Sequence, residues 1–211
     1  MERIEGALIA IDVQLDFCPG GALAVPAGDE VVGGINGCVD RFESLLFTQD
    51  FHPPGHCSFA SRYPGKKPGD TVSVFYGEQA LWPDHCVQGT RGAELHPDLD
   101  TSRVELLLRK GFHRDIDSYS AFFENDRKTV TGLGGYLRER EIGTLYFGGL
   151  ATDVCVLYSV LDALRLGFTV RVIEDACRGL DIDGSLERAW RSMREAGAVV
   201  VSSSELAGRG K

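Results

Sequence analysis

Cys155 closes the segment Gly149-Leu-Ala-Thr-Asp-Val-Cys155, which joins the apolar run Leu145–Phe147 to an amphipathic stretch beginning near Val154. This order sets a thiol at a helix start just beyond a buried strand, where helix-end amides favour negative charge and can support a thiolate. A nucleophile and a buried structural cysteine are both consistent with the segment. Asp12 follows the apolar run Ala7–Ile11, and Lys110 follows Leu106–Leu108 after Arg109. A carboxylate at the end of a buried strand needs a partner, either in a capped turn or salt bridge or as an acid/base beside the thiol. A lysine there either reaches solvent or, near Cys155 and Asp12, favours the thiolate and holds the carboxylate. Arg109 points the opposite way along the strand and takes an outward ion-pair role.

Asp50-Phe-His52 is the second cluster. At i and i+2 of an extended segment both side chains face one side, and carboxylate plus imidazole suits zinc, iron or manganese. Loop hydrogen bonding is the plainer alternative. His56, across Pro53-Pro54-Gly55, and His85, within Trp82-Pro-Asp-His-Cys86, are both available as a third ligand. His96 reads as a turn residue, and His113 as structural or exposed. Phe17 and Trp82 are placed to sandwich a planar ring, with core packing as the competing assignment.

These residues need a scaffold. Ala7–Val13, Leu45–Phe47, Val104–Leu108, Leu145–Phe147, Phe168–Ile173 and Ala198–Val201 read as short buried strands. Helical spacing links Val31, Val32, Ile35, Val39 and Phe42, with Asp29 as cap. It also links Leu133, Tyr136 and Leu137, then Val156, Val160, Leu161 and Leu164, then Leu186, Ala189, Trp190 and Met193. Strands alternating with helices predict a three-layer α/β/α fold with a six-stranded, mostly parallel sheet. Ligands gather beyond the carboxyl ends of such strands, where Asp12, Asp50, Lys110 and the Cys155 loop all fall. The Pro- and Gly-rich segment at about 51–103 is too long for an ordinary connection and reads as a packed active-site cover. Residues 207–211 read as a frayed end.

The 211 residues suit one domain, 1–211, and the formal net charge of -9 argues against a nonspecific nucleic-acid surface. No run has the length of a membrane span and no signal-like core precedes a cleavage site, so a cytoplasmic protein is expected. The six cysteines form no close pair, which favours free thiols. Apart from Cys155 they read as small buried hydrophobes.

Together the chain resembles the nicotinamidases, also called pyrazinamidases, of the isochorismatase-like cysteine hydrolases. The resemblance rests on Ile11-Asp-Val-Gln-Leu-Asp-Phe17, Thr48-Gln-Asp-Phe-His-Pro53, Phe59-Ala-Ser61, Leu81-Trp-Pro-Asp-His-Cys-Val-Gln-Gly-Thr90 and Lys110-Gly111. Asp117-Ser-Tyr-Ser-Ala-Phe-Phe123, Gly148-Gly-Leu-Ala-Thr-Asp-Val-Cys155 and Asp175-Ala-Cys-Arg-Gly-Leu-Asp181 complete it. It implies a triad of Asp12, Lys110 and Cys155. It also implies one divalent metal, zinc before iron or manganese, on Asp50, His52 and His85, with His56 near the metal or its waters. A substrate pocket of Phe17, Trp82, Tyr119 and Ala151 follows, with a cis peptide between Leu150 and Ala151 and an oxyanion site at the amides of Ala151 and Cys155. The implied reaction is hydrolysis of nicotinamide to nicotinate and ammonia through a cysteine thioester, a step of NAD salvage, with pyrazinamide as a second substrate. A monomer and a homo-oligomer are both found among such enzymes. Phe51 and Tyr63 depart from common family residues without touching the triad or the ligands. Another small-molecule amidase or carbamoyl hydrolase of the same family is the alternative.

Overall fold

The computed structural model describes residues 3–207. In chain order its elements are β1 (Ile4–Ile11), α1 (Val31–Asn36), β2 (Phe42–Asp50), β3 (Thr71–Val74), β4 (Gly77–Ala80), β5 (Leu106–Lys110) and α2 (Leu133–Glu139). Then come β6 (Thr144–Leu150), α3 (Leu157–Arg165), β7 (Thr169–Arg178), α4 (Ser185–Glu195), β8 (Val199–Val201) and α5 (Ser203–Ala207). Six strands form one sheet in the order β5-β2-β1-β6-β7-β8, and every neighbouring pair is parallel. β3 and β4 pair separately as an antiparallel hairpin.

Period-two alternation divides the core between the two faces. Leu8 and Ala10 of β1 join Leu45, Phe47 and the α1 residues Val31 and Ile35 on one face. Ala7, Ile9 and Ile11 join Leu46 and residues of α2, α3 and α4 on the other, among them Leu137, Val160 and Met193. Both faces are therefore covered, as a parallel sheet requires. The chain builds outward from β1, first through β2 and β5, then through β6, β7 and β8. The order reverses between β1 and β6, and a crevice opens at their carboxyl ends.

The strands keep their expected places with shifted ends, and β7 runs on from Ile173 to Arg178; the helices differ more. The helix over Val31–Phe42 stops at Asn36. Gly33, Gly34 and Gly37 weaken its propagation, and Phe42 instead begins β2 opposite Ile4. Asp29 does not cap α1; it lies in a short 3-10 turn, Gly28–Glu30, and makes no capping bond. α5 reaches Ala207, so the expected fraying does not begin there, and residues 208–211 lie outside the described residues.

The segment between β2 and β5 is packed. Phe59, Leu81 and Cys86 within it are fully buried. It is stitched to the sheet end by His52 N–H donating to Cys86 O at 3.0 Å and Gln88 N–H to His52 O at 2.8 Å. The six cysteines are unpaired and buried. No helix among the described residues is long and apolar enough to cross a membrane.

Candidate active site

Four adjacent strands deliver the reactive side chains. Asp50 and Lys110 face each other in register at the ends of β2 and β5, Asp12 follows β1, and Cys155 follows β6. Cys155 lies in a wide π turn, Thr152–Val156, that precedes α3. The turn is closed by Val156 N–H donating to Ala151 O at 3.1 Å. The cis peptide between Leu150 and Ala151 is present. Gly149 just before it has φ +119°, and a Cβ there would lie 2.1 Å from Ile11 O. Only glycine admits this approach of β6 to the end of β1.

Lys110 organises the cluster. Its ammonium is fully buried and donates to Asp50 Oδ1 at 2.5 Å, Ser118 O at 2.9 Å and Cys155 Sγ at 3.4 Å. Asp12 Oδ2 forms an ion pair with the same nitrogen at 2.8 Å. Thr48 Oγ1 donates to Asp12 Oδ1 at 2.5 Å and accepts from the Asp12 amide at 3.1 Å. That pair of bonds fixes the carboxylate. Carboxylate oxygens of Asp12 and Asp50 and Cys155 Sγ lie within 4.8 Å of one another.

The charges in this cluster set its protonation. Burial favours the neutral lysine, but Asp12, Asp50 and then Cys155 outweigh it and hold Lys110 protonated. Burial pushes the Cys155 thiol well up; Lys110 opposes this, while Asp12 and Asp50 reinforce it. Burial and the two carboxylates thus favour the thiol over the thiolate. A base is needed. Burial, opposed by Lys110 and aided by Asp50, raises the Asp12 carboxyl, which makes it a better proton acceptor than an exposed aspartate.

Asp50 joins this cluster to the second one. Its Oδ2 faces His52 Nε2 at 3.5 Å and His85 Nε2 at 3.9 Å. Each imidazole is oriented through its other nitrogen: His52 Nδ1 donates to Gly111 O at 2.8 Å, and His85 Nδ1 to Pro83 O at 2.8 Å. The two Nε2 atoms and Oδ2 therefore converge as three acceptors, and the ligand atoms lie within 4.8 Å of one another. Three lone-pair donors so aimed, with their outer sides fixed by backbone carbonyls, suit a divalent cation. Gly111, at φ +64°, has no room for a side chain, since a Cβ would lie 2.5 Å from the His52 ring. Burial and then His52 push His85 down to about 4, which favours the neutral ligand form. At His52 burial is outweighed by Asp50 and the pKa is raised. A proton then competes for Nε2, so metal affinity is expected to fall as pH falls. Competition with a fluorescent chelator between pH 7.5 and 5.5 measures this, and a flat profile would remove His52 as a ligand.

His56 differs from the other two. It stacks on the His52 ring at 4.2 Å between centroids, and both of its nitrogens are engaged. Nδ1 accepts from the Ser58 hydroxyl at 2.7 Å, and Nε2 donates to Ile116 O at 3.2 Å. Its ring packs beside the Asp50, His52 and His85 group. Arg109 stacks on Phe51 at 4.0 Å and donates to Gln49 Oε1, so it does not take the expected outward ion pair. His113 is half exposed and pairs with Glu124.

Above these groups lies a narrow cleft lined by Phe17, Trp82, Tyr119, Ala151, Cys155 and Leu180 among others. Its apolar, aromatic walls suit the faces of a planar ring. Sequence reasoning missed several residues that hold the site. Gln14 clamps the Asp50 backbone from both sides, donating to Asp50 O and accepting from Asp50 N, each at 2.8 Å. Asp153 accepts from the amides of Leu180 and Asp181 at 2.9 Å and from the Ser185 hydroxyl, tying the Cys155 turn to the loop after β7. Thr48 and Gln14 had a signal, polarity at apolar strand ends, which marks a group needing a partner. Asp153 had none beyond its place two residues before Cys155.

An activatable thiol, a proton acceptor, a fixed ammonium and an adjoining cation position together suit attack on a carbonyl carbon. The isochorismatase domain family matches residues 6–205. The chain is 53% identical over 197 residues to a nicotinamidase of Acinetobacter baylyi, covering 93% of this chain and 92% of that protein. A solved nicotinamidase/pyrazinamidase of Acinetobacter baumannii superposes with a TM-score of 0.93 at 52% identity, covering 96% of this chain and 98% of that one. A pyrazinamidase of Pyrococcus horikoshii, solved in complex with zinc, superposes at 0.76 with 34% identity, covering 94% and 99%. The protein belongs to the isochorismatase family.

Proposed function

We propose that the protein is a nicotinamidase, hydrolysing nicotinamide to nicotinate and ammonia and accepting pyrazinamide as well. The observation that carries this reading is the Lys110 ammonium, which touches Cys155, Asp12 and Asp50 at once and so joins a nucleophile to a cation position. The 53% identity to a nicotinamidase supports the substrate. The ring lies between Phe17 and Trp82, with its carboxamide over Cys155. Asp12 takes the thiol proton as Sγ bonds to the amide carbon. The developing oxyanion is met by the amides of Ala151 and Cys155. Asp12 returns the proton to the amide nitrogen, the C–N bond breaks, and ammonia leaves a thioester. Water, deprotonated by Asp12, then attacks the thioester carbon; nicotinate departs and the thiol regains its proton. Lys110 remains charged throughout and offsets the negative charge passing between sulfur and carboxylate.

Asp50, His52 and His85 hold one divalent ion, zinc by the likeness to the Pyrococcus horikoshii enzyme, with iron and manganese also suited to the donor set. When bound it supplies a Lewis-acidic position for the ring nitrogen. His85→Ala is expected to lower bound metal by about tenfold or more at fixed free metal, read by elemental analysis after dialysis against a weak chelator. Unchanged metal content would exclude His85 as a ligand.

Ammonia release from nicotinamide, pyrazinamide, benzamide and an aliphatic amide tests the function. Nicotinamide and pyrazinamide are expected to turn over well and benzamide, without a ring nitrogen, poorly. A preference for the aliphatic amide would overturn the reading.

A further inference from the structure

The hairpin of β3 and β4 lies on the cover segment, away from the sheet. Gln79 is the one residue of its two strands that is fully buried, at 1% exposure, among exposed and half-buried neighbours. A buried primary amide is costly unless all its groups are satisfied, and an apolar side chain would serve ordinary hairpin packing. Every polar atom of Gln79 is used. Its Oε1 accepts from the Tyr76 hydroxyl at 2.8 Å and Asn125 Nδ2 at 3.3 Å. Its Nε2 shares two hydrogens among Asp117 Oδ2 at 2.8 Å, Ala80 O at 2.8 Å and the Tyr119 hydroxyl at 3.1 Å. Because the Ala80 carbonyl can only accept, the amide has one orientation.

The next contact reaches the cleft. Trp82 Nε1 donates to the same Tyr119 hydroxyl at 3.1 Å. An indole N–H can only donate, so the phenol oxygen receives two bonds, one from Gln79 and one from Trp82. Trp82, Tyr119 and Asp117 all line the cleft. We propose that Gln79 is a positioning residue for substrate: through Tyr119 it sets the plane of the Trp82 wall, and through Asp117 it holds that carboxylate away from the ring's path. The hairpin thereby becomes part of the substrate site although it lines none of it. Preorganisation of an aromatic wall acts on ring binding more than on bond breaking at Cys155. The proposal rests on the reading of this cleft as the site of an aromatic amide.

The test is steady-state hydrolysis of nicotinamide by Gln79→Met, Tyr119→Phe and the double variant, with wild type and Trp82→Ala alongside. Gln79→Met keeps the side-chain length and removes every hydrogen bond. Its KM is expected to rise roughly five- to tenfold while kcat changes less than about twofold. Tyr119→Phe is expected to do the same, and the double variant to be no worse than either single one, since both cut one chain of bonds. In a Trp190→Phe background, which leaves Trp82 as the only tryptophan of the chain, Gln79→Met is expected to shift the indole emission. If Gln79→Met does not fold, Tyr76→Phe, which removes the shorter of the two bonds to Oε1, is read by the same KM and emission criteria. An unchanged KM, an equal fall in kcat, or additive effects of Gln79 and Tyr119 would overturn the proposal. If Trp82→Ala raises KM and the Gln79 and Tyr76 variants do not, only this inference fails. If wild type does not hydrolyse nicotinamide, the reading of the cleft itself fails.

Discussion

Cys155→Ala is expected to lower ammonia release from nicotinamide by at least about four orders of magnitude, because the acyl intermediate of the proposed reaction forms on its sulfur. The other cysteines are buried. Cys86, the neighbour of His85, has its thiol pushed well up by burial and then by Asp50 and Asp12. Loss of one sulfur atom leaves the Phe17–Trp82 cleft and the three acceptors of the metal position unchanged, so bound metal and nicotinamide affinity should stay within about threefold of wild type. The measurements are coupled ammonia detection, elemental analysis and calorimetric titration with nicotinamide. A rapid-quench digest of wild type should carry a nicotinoyl adduct on the peptide containing Cys155 and none elsewhere. Turnover above about one per cent in the variant would assign attack to another group, such as a water on the metal.

Lys110→Met is expected to be nearly as damaging to catalysis and far more damaging to the fold. Methionine fills the volume but leaves the Asp12 and Asp50 carboxylates buried and close, with no cation between them. Removing one partner of a buried ion cluster costs about 3–5 kcal/mol, so thermal unfolding of the metal-free protein should fall markedly at neutral pH. The pH dependence follows from both carboxylates. In wild type burial raises Asp12, against Lys110, so its ionised form costs stability at neutral pH and that cost is relieved as pH falls through its folded pKa. Asp50 is the reverse: burial raises it, but Lys110 and then His52 outweigh burial and hold it well below the usual carboxylate range. Its contribution is present above the unfolded value of 3.8 and is lost only as pH falls through the lower folded one. Without Lys110 both carboxyls move up, so protonation begins to relieve the variant at higher pH than wild type. The gap in unfolding temperature should therefore narrow from pH 7.5 to pH 5. A gap that stays constant would mean that Lys110 acts through packing and not through its charge.

The strand ends were readable because a buried parallel strand must be apolar, so the polar residues just beyond each run stand out. Asp12, Asp50 and Lys110 are such residues. His52 was also readable, by its two-residue offset from Asp50 in extended chain. The resemblance supplied the choice of His85 over His56, which spacing alone had left open. In the fold both His56 nitrogens are hydrogen-bonded, whereas His85 bonds through Nδ1 and turns Nε2 towards Asp50. The helix from Val31 was overextended because spacing reports which residues are apolar, not which partner they take, and Phe42 found Ile4.

The chain by itself determined the alternation of strands and helices, the strand ends that carry chemistry and, through its motifs, the family. Those depend on local polarity and on runs of residue types. Tertiary structure decided that one ammonium meets the Cys155 thiol and the Asp12 and Asp50 carboxylates together, that burial raises that thiol, and that a hairpin glutamine and Trp82 share the Tyr119 hydroxyl. These are consequences of distance and burial between residues far apart in the chain. Burial raises the Cys155 thiol against Lys110, so a pattern that placed cysteine at a favourable helix start could name the nucleophile but not its protonation.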